Sequence, residues 1–267
     1  MSIKDFIGEI PYRMALAGGW IDQPFVSRFN PRPPGSMVVV SLEPIVRFME
    51  RAGIATGTRN VARRIWNDRL PTGRSREELV RELYHEENKN LVDKSGSQDM
   101  IGTIYPGISR LDYDYAHEEG IFPKHIKSTN DPDIVNWLER VIHFIPVATR
   151  PPGYNPVGVK NLDPQAIADL GQSGKDCWEA ILAKDVHRLG ASMSLCTRSY
   201  LKILPDTLKH STLNAFDYVK LQEDYQARYP GAMFSGCGGG YMIVVSEDER
   251  VDGAFKIKIR TERGRDA

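Results

Sequence analysis

Four of the five residues from 236 to 240 are glycine, and the run Ser235-Gly236-Cys237-Gly238-Gly239-Gly240 joins two apolar segments, 232–234 and 241–246. Both segments have the length and composition of buried strands. The loop therefore connects strand to strand, whereas a Rossmann dinucleotide turn runs from a strand into a helix. That placement argues against a Rossmann fold. With no side chains in the way, the loop backbone can come close to a ligand.

Other elements announce themselves by pattern. The segment 5–18 is mostly apolar and ends in the turn Gly18-Gly19-Trp20-Ile21-Asp22, and 37–40 is a run of Met and three Val that reads as a buried strand. Between them, Pro31, Pro33 and Pro34 impose a loop. Ser75 with Glu78 has capping-box spacing, and Asp131-Pro132 and Asp163-Pro164 each pair an N-cap with proline at the first helical position. Helices are expected from 132, around 177–189 ending at Gly190, and over 192–203 and 214–228. Further strands are expected at 108–115 and 144–148. The alternating tail 255–260 reads as a half-buried strand. The proline- and glycine-rich stretch 150–156 is the natural boundary between two lobes, 1–153 and 154–267.

The chain of 267 residues carries 35 basic and 35 acidic side chains, so no net charge draws it to nucleic acid or an anionic membrane. Cys177, Cys196 and Cys237 are odd in number, widely spaced and in no CxxC pair, which suits a reducing cytoplasm. No apolar run reaches membrane-spanning length. No histidine pair, GxSxG or HExxH supports a hydrolase. These features describe a soluble cytoplasmic protein; an oligomer is compatible with them but not called for.

Three places carry candidate chemistry. Ser95-Gly96-Ser97-Gln98-Asp99 runs from a small-residue loop into an apolar segment, and Asp99 at the join is either a helix cap or a fixed acid for proton transfer. Residues 53–58, with Gly53, Thr56, Gly57 and Thr58, precede an amphipathic helix with Val61, Ala62, Ile65 and Trp66 on one face. They are a phosphate cradle or a helix start capped by Thr58. On the next helix the stripe Leu79, Val80, Leu83 and Tyr84 extends to Glu87. A carboxylate on a buried face is paired in a salt bridge or bound to a cation.

The segment Pro11-Tyr12-Arg13-Met14-Ala15-Leu16-Ala17-Gly18-Gly19-Trp20-Ile21-Asp22, the glycine run 236–240, and Ser97-Gln98-Asp99 followed by Gly107 together resemble the GHMP small-molecule kinases. That superfamily includes galactokinases, mevalonate kinases and heptose-phosphate kinases. The resemblance implies an α+β, two-lobed fold, with an N-terminal lobe like ribosomal S5 domain 2 and a ferredoxin-like C-terminal lobe. It implies transfer of phosphate from ATP, with Mg²⁺, to a hydroxyl of a sugar or sugar phosphate. Asp99 falls on the general base and Arg13 on the arginine beside it. Asp22, with Gly18 and Gly19, falls on the substrate site. Gly53, Thr56, Gly57, Thr58, Gly236, Gly238 and Gly239 fall on the nucleotide site, and Thr58 and Glu87 on the Mg²⁺ ligands. Two departures define an alternative, a ligand-binding relative without turnover or one with altered chemistry. The second glycine motif lacks its proline and has Arg59 where a small residue is usual, and only about thirty residues separate Asp22 from Gly53.

Overall fold

A computed structural model describes residues 8–91, 94–208 and 217–262. Among these residues seven strands form two antiparallel sheets. The first has the order β1-β2-β3-β4, from β1 (Tyr12–Ala15), β2 (Gly35–Leu42), β3 (Ile108–Tyr113) and β4 (His125–Thr129). The second has the order β5-β7-β6, from β5 (Ile142–Ala148), β6 (Gly231–Gly236) and β7 (Gly239–Val245). The architecture is thus α+β with two antiparallel sheets, and the hairpin expected around the glycine run is present.

All of β2 is buried, which explains its unbroken apolar run. It packs against α6 (Pro164–Ala183) and α4 (Gln98–Ile104). The register sets Met14 opposite Val40 and Val40 opposite Ile108, so the centre of this sheet is aliphatic. Between the sheets, Tyr12, Phe48, Phe144, Tyr241 and Phe255 interlock, mostly edge to face. The main hydrophobic core runs through both sheets without a break.

Two segments tie the sheets together, and both differ from the sequence expectation. The long helical stretch does not end at Gly190. Helix α6 stops at Lys184, which is left-handed, and α7 (Val186–Ile203) starts from Asp185, whose side chain accepts from the Arg188 N–H. Gly190 lies inside α7 because its bare Cα rests on the Pro230–Gly231 backbone at the start of β6. The tail at 255–260 is a strap rather than a strand: Phe255 bridges to Phe144 in one sheet and Ile259 to Leu42 in the other. The exposed edge strand β4 has no apolar alternation to reveal it.

The remaining helices are α1 (Pro24–Ser27), α2 (Thr56–Trp66), α3 (Arg76–Asn88), α5 (Pro132–Val141) and α8 (Tyr218–Arg228). The capping box at Ser75 and Glu78 and the caps at Asp131 and Asp163 form as expected. The helix expected over 214–228 starts at Tyr218 with Asp217 as its cap, and residues 214–216 lie outside the described residues. Residue 153, the expected lobe boundary, falls in the loop between β5 and α6. β5 before it pairs with β7, and α6 after it packs on β2.

Glycines let α6 lie flush on β2. A Cβ at Gly171 would press on the Gly35 backbone, and one at Gly174 would collide with the Ser36 carbonyl. Gly174→Ala should therefore force the helix off the sheet, costing about 1–3 kcal/mol of stability. Chemical denaturation measures this directly, and an unchanged midpoint would show that the helix does not depend on that close approach.

Candidate active site

Strand β1, the turn that follows it, α4, the loop after β5 and the glycine hairpin converge on one cavity of about 710 Å³. Its polar lining includes Arg13, Asp22, Gln98 and Asp99.

Asp99 occupies the first turn of α4, where Ser97 is the N-cap residue. Its carboxylate turns away from the helix backbone: one oxygen pairs with Arg13 Nη2, and the other lies 3.5 Å from the Thr58 hydroxyl. Ser97 Oγ is likewise engaged elsewhere, donating to the Ile121 carbonyl and meeting Tyr113 OH. The helix-cap reading of Asp99 therefore does not hold. Gly102, one turn on, leaves room for the Arg13 side chain.

Arg13 also reaches the Gly53 carbonyl at 3.4 Å, while its Nε is buried without a partner among the described residues. Burial pulls its guanidinium down to about 10, so it stays charged at neutral pH.

Glu87 is half-buried beside the helix stripe, whose fully buried position is taken by Asn88, and it is in no salt bridge among the described residues. Ser95 Oγ donates to Oε1 at 3.2 Å, the Thr58 hydroxyl and the Arg13 charge are further polar neighbours, and Oε2 is buried with no hydrogen-bond partner among the described residues. Burial raises its pKa, against the pull of Thr58, Ser95 and Arg13. Thr58 thus stands between two carboxylates and caps nothing; the cap position of α2 is Ala55, left-handed and with no side-chain bond. The first turn of α2 consequently leaves its N–H groups without a side-chain cap.

Asp22 is wholly buried beneath the cavity. Gly96 packs directly on its carboxylate, and the Gln98 N–H and side-chain amide approach it at 3.5 Å. Desolvation pushes its pKa up to about 6, opposed by Gln98 and Arg13. Gln98 Oε1 is buried and unpartnered among the described residues. Trp20, held at positive φ, donates its indole N–H to Cys237 at 3.1 Å and so links this turn to the glycine hairpin.

The glycines fall into distinct settings. Gly19 lines the cavity against Tyr200 OH, whereas Gly18 donates to Cys196 Sγ and packs on Met37. Gly53 and Gly236 both line the cavity and touch each other through their bare Cα faces. Gly238 is covered by the Tyr154 ring, and Gly239 faces the Ala148 carbonyl and Tyr218 OH. Gly57 is open on all sides, and Thr56 Oγ1 accepts from the Arg51 N–H at 3.1 Å. Arg59 turns away from the cavity, donating to the Ile10 carbonyl at 2.7 Å and stacking on Tyr12.

Sequence reasoning did not find Gln98 as a site residue, nor Tyr200, Phe25 and Lys160, all of which line the cavity. Tyr200 was hidden in a helix whose register put it on an apparently ordinary face. Lys160 lies in a loop with no pattern to fix where it lands.

No protein-family model and no curated protein matches the sequence. Solved structures do. The chain is similar to the mevalonate kinase of Methanococcus jannaschii, with TM-score 0.60 and 11% identity over 95% of this chain and 98% of that one. It is similar to Lactococcus lactis galactokinase complexed with galactose, with TM-score 0.60 and 12% identity over 95% and 93%. It is also similar to a D-glycero-D-manno-heptose 1-phosphate kinase from Bacteroides thetaiotaomicron, with TM-score 0.55 and 14% identity over 95% of each chain. The chain has the fold of the GHMP kinases.

Proposed function

We propose that the protein transfers the γ-phosphoryl group of ATP to a hydroxyl of a small polyhydroxylated acceptor. The observation that carries the reading is Asp99. It lies at the base of a cavity of ligand size, is held by a buried Arg13, and is flanked by Thr58 and an underused Glu87.

Each residue has a task that follows from its surroundings. Asp99 accepts the proton of the attacking hydroxyl as the new O–P bond forms and the bond from the γ-phosphorus to the bridging oxygen breaks, releasing ADP. Arg13 fixes the carboxylate by their ion pair and presents a donor, Nε, that no described residue uses. Its charge counters that on the phosphoryl oxygens. Asp22 and Gln98 accept hydrogen bonds from acceptor hydroxyls, which orients the reacting one. The uncapped first turn of α2, with Thr56, Gly57 and Thr58, offers N–H groups to the nucleotide phosphates. Gly53 and Gly236 keep the cavity wall there free of side chains; Gly238 and Gly239 support that wall from behind, through Tyr154, Ala148 and Tyr218.

Glu87, Thr58 and Asp99 suit a Mg²⁺ ion, which takes one or two carboxylates and completes its shell with water and phosphate oxygens. The unpartnered Glu87 Oε2 is the vacant acceptor such an ion calls for. Among the described residues no group of three His, Cys, Asp or Glu side chains could hold a metal ion by itself, so phosphate oxygens and water would have to complete the shell. When bound the ion neutralises phosphate charge.

Incubating the protein with Mg·ATP and a panel of sugars, sugar phosphates and other small polyols, and following ADP release, tests the proposal. Acceptor-dependent ADP release supports it; ATP hydrolysis indifferent to every acceptor contradicts it.

A further inference from the structure

Arg150 lines the cavity, and the chemistry proposed above gives it no task. It follows β5, and a reciprocal clasp with Arg51, shortly before the first turn of α2, fixes its place. The Arg150 backbone N–H and Nε donate to the Arg51 carbonyl at 3.1 and 3.4 Å. In return Arg51 Nε donates to the Arg150 carbonyl at 3.1 Å, and Arg51 Nη2 to the Pro151 carbonyl at 2.7 Å. Arg51 is left-handed, at φ 55°, a conformation that a residue with a side chain keeps only where its surroundings hold it. Thr56 Oγ1 takes its N–H, and one residue on the Ala52 carbonyl accepts from Ser235 Oγ at 2.6 Å. Segments 51–53, 150–151 and 235–236 therefore meet in one joint.

The Arg150 head group is bonded through Nε alone. Its Nη1 and Nη2 donate to no described residue, and no carboxylate among the described residues pairs with it. A Cβ built on Gly236 would stand 3.7 Å from Arg150 Nη2. Gly236 is itself in backbone contact with Gly53, whose carbonyl lies 3.4 Å from Arg13 Nη1. Two guanidiniums thus reach the same pair of glycines, Arg13 at Gly53 and Arg150 at Gly236. The first is answered by Asp99 and the second by no described residue. They are close enough to repel: after burial, the charge of Arg150 is among the influences that lower Arg13. An anion at the glycine pair relieves that repulsion, and two free Nη groups on one guanidinium suit the oxygens of a phosphate.

Resting on the kinase reading for the identity of the anion, we infer that Arg150 binds the terminal phosphate of the nucleotide and that Arg51 positions it there. The choice of the terminal phosphate follows from Arg13. That side chain pairs with Asp99, which takes the acceptor's proton, so the glycines it reaches lie at the reacting end of the donor rather than at its base. Arg150 then adds charge to the phosphoryl oxygens as the bond to the bridging oxygen breaks. ADP, which lacks that group, leaves Arg150 unanswered.

The test measures calorimetric binding of a non-hydrolysable ATP analogue and of ADP, each with Mg²⁺, and kcat by ADP release. It compares the parent with Arg150→Ala, Arg150→Lys, Arg51→Gln and the double variant Arg51→Gln/Arg150→Ala. Arg150→Ala should lose about tenfold or more in affinity for the analogue, the scale of one charge-assisted hydrogen bond, and little for ADP. Its kcat should fall about 10²-fold, the loss expected of one transition-state donor, and added guanidinium ion should restore part of it. Arg150→Lys, which keeps the charge but not the fork, should retain part of the preference for the analogue. Arg51→Gln should lower the same analogue-to-ADP ratio, and the double variant should be no worse than Arg150→Ala, because Arg51 acts through Arg150. A clasp that only supports the fold would move the denaturation midpoint and both nucleotides together. Equal losses for ADP and the analogue, or parental affinity for the analogue in Arg150→Ala, overturns the inference, and additive losses in the double variant remove Arg51 from the positioning role. Acceptor-dependent ADP release with a parental ratio in Arg150→Ala would leave the kinase reading intact and defeat this one. An Arg150-dependent ratio with no acceptor-dependent ADP release would do the opposite.

Discussion

Asp99→Asn lowers the acceptor-dependent turnover about 10²–10⁴-fold, the usual contribution of a positioned general base, and leaves Mg·ATP affinity within a few-fold of the parent. The amide keeps an oxygen for Arg13 and so preserves the local packing, but it does not take up the hydroxyl proton. The loss belongs in kcat, since Asp99 supports the transition state more than the bound acceptor. Steady-state kinetics of ADP release, with denaturation midpoints to show that the fold is intact, measures both halves of the prediction. A variant with parental kcat would remove Asp99 from the base role while leaving it a structural partner of Arg13.

Asp22→Asn acts on stability in the opposite direction. In the folded chain the Asp22 carboxyl is pushed up to about 6 by burial, against an ordinary value of 3.8. The folded state therefore holds this proton more tightly than the unfolded chain does. Below pH 4 both states are protonated and burial costs nothing in ionisation. As pH rises from 4 to 6 the unfolded chain ionises first, and stability falls. Above pH 6 the full cost is present, about 1–3 kcal/mol. The amide variant escapes it, so it should be the more stable protein at pH 8 and no more stable at pH 4. Urea unfolding across that range reads the difference; parallel curves for the two proteins would show that Asp22 carries no buried charge. On the proposed function, the same substitution should also weaken acceptor binding.

Glu87 was legible because a helix stripe is periodic and a carboxylate beside its continuation stands out, although Asn88 takes the fully buried position. The vacancy of its Oε2 was not legible, since salt bridge and cation site have the same sequence. Asp99 was legible as a residue but not as a role: it lies in the first turn, two residues past the N-cap Ser97, and its partner Arg13 comes from a strand 86 residues away. Gly190 misled for a physical reason. Glycine after a helical run usually marks a terminus, but here it marks a helix crossing another backbone at close range, and nothing local separates the two. The edge strand β4 pairs on one side only and is largely solvated, so its backbone is a strand while its side chains have no reason to alternate. Lys160 gained its place from a contact with Phe25, 135 residues earlier, which no pattern within the loop records.

The claim on which the rest depends is that a nucleotide with its cation reaches Asp99. The direct measurement is calorimetric titration of the protein with a non-hydrolysable ATP analogue, with and without Mg²⁺, for the parent chain and for Glu87→Gln. The account predicts saturable binding that weakens about tenfold or more when Mg²⁺ is left out. It predicts a similar loss in Glu87→Gln even with Mg²⁺ present, with an unaltered denaturation midpoint. No binding at millimolar analogue, or binding indifferent both to Mg²⁺ and to Glu87, would contradict it.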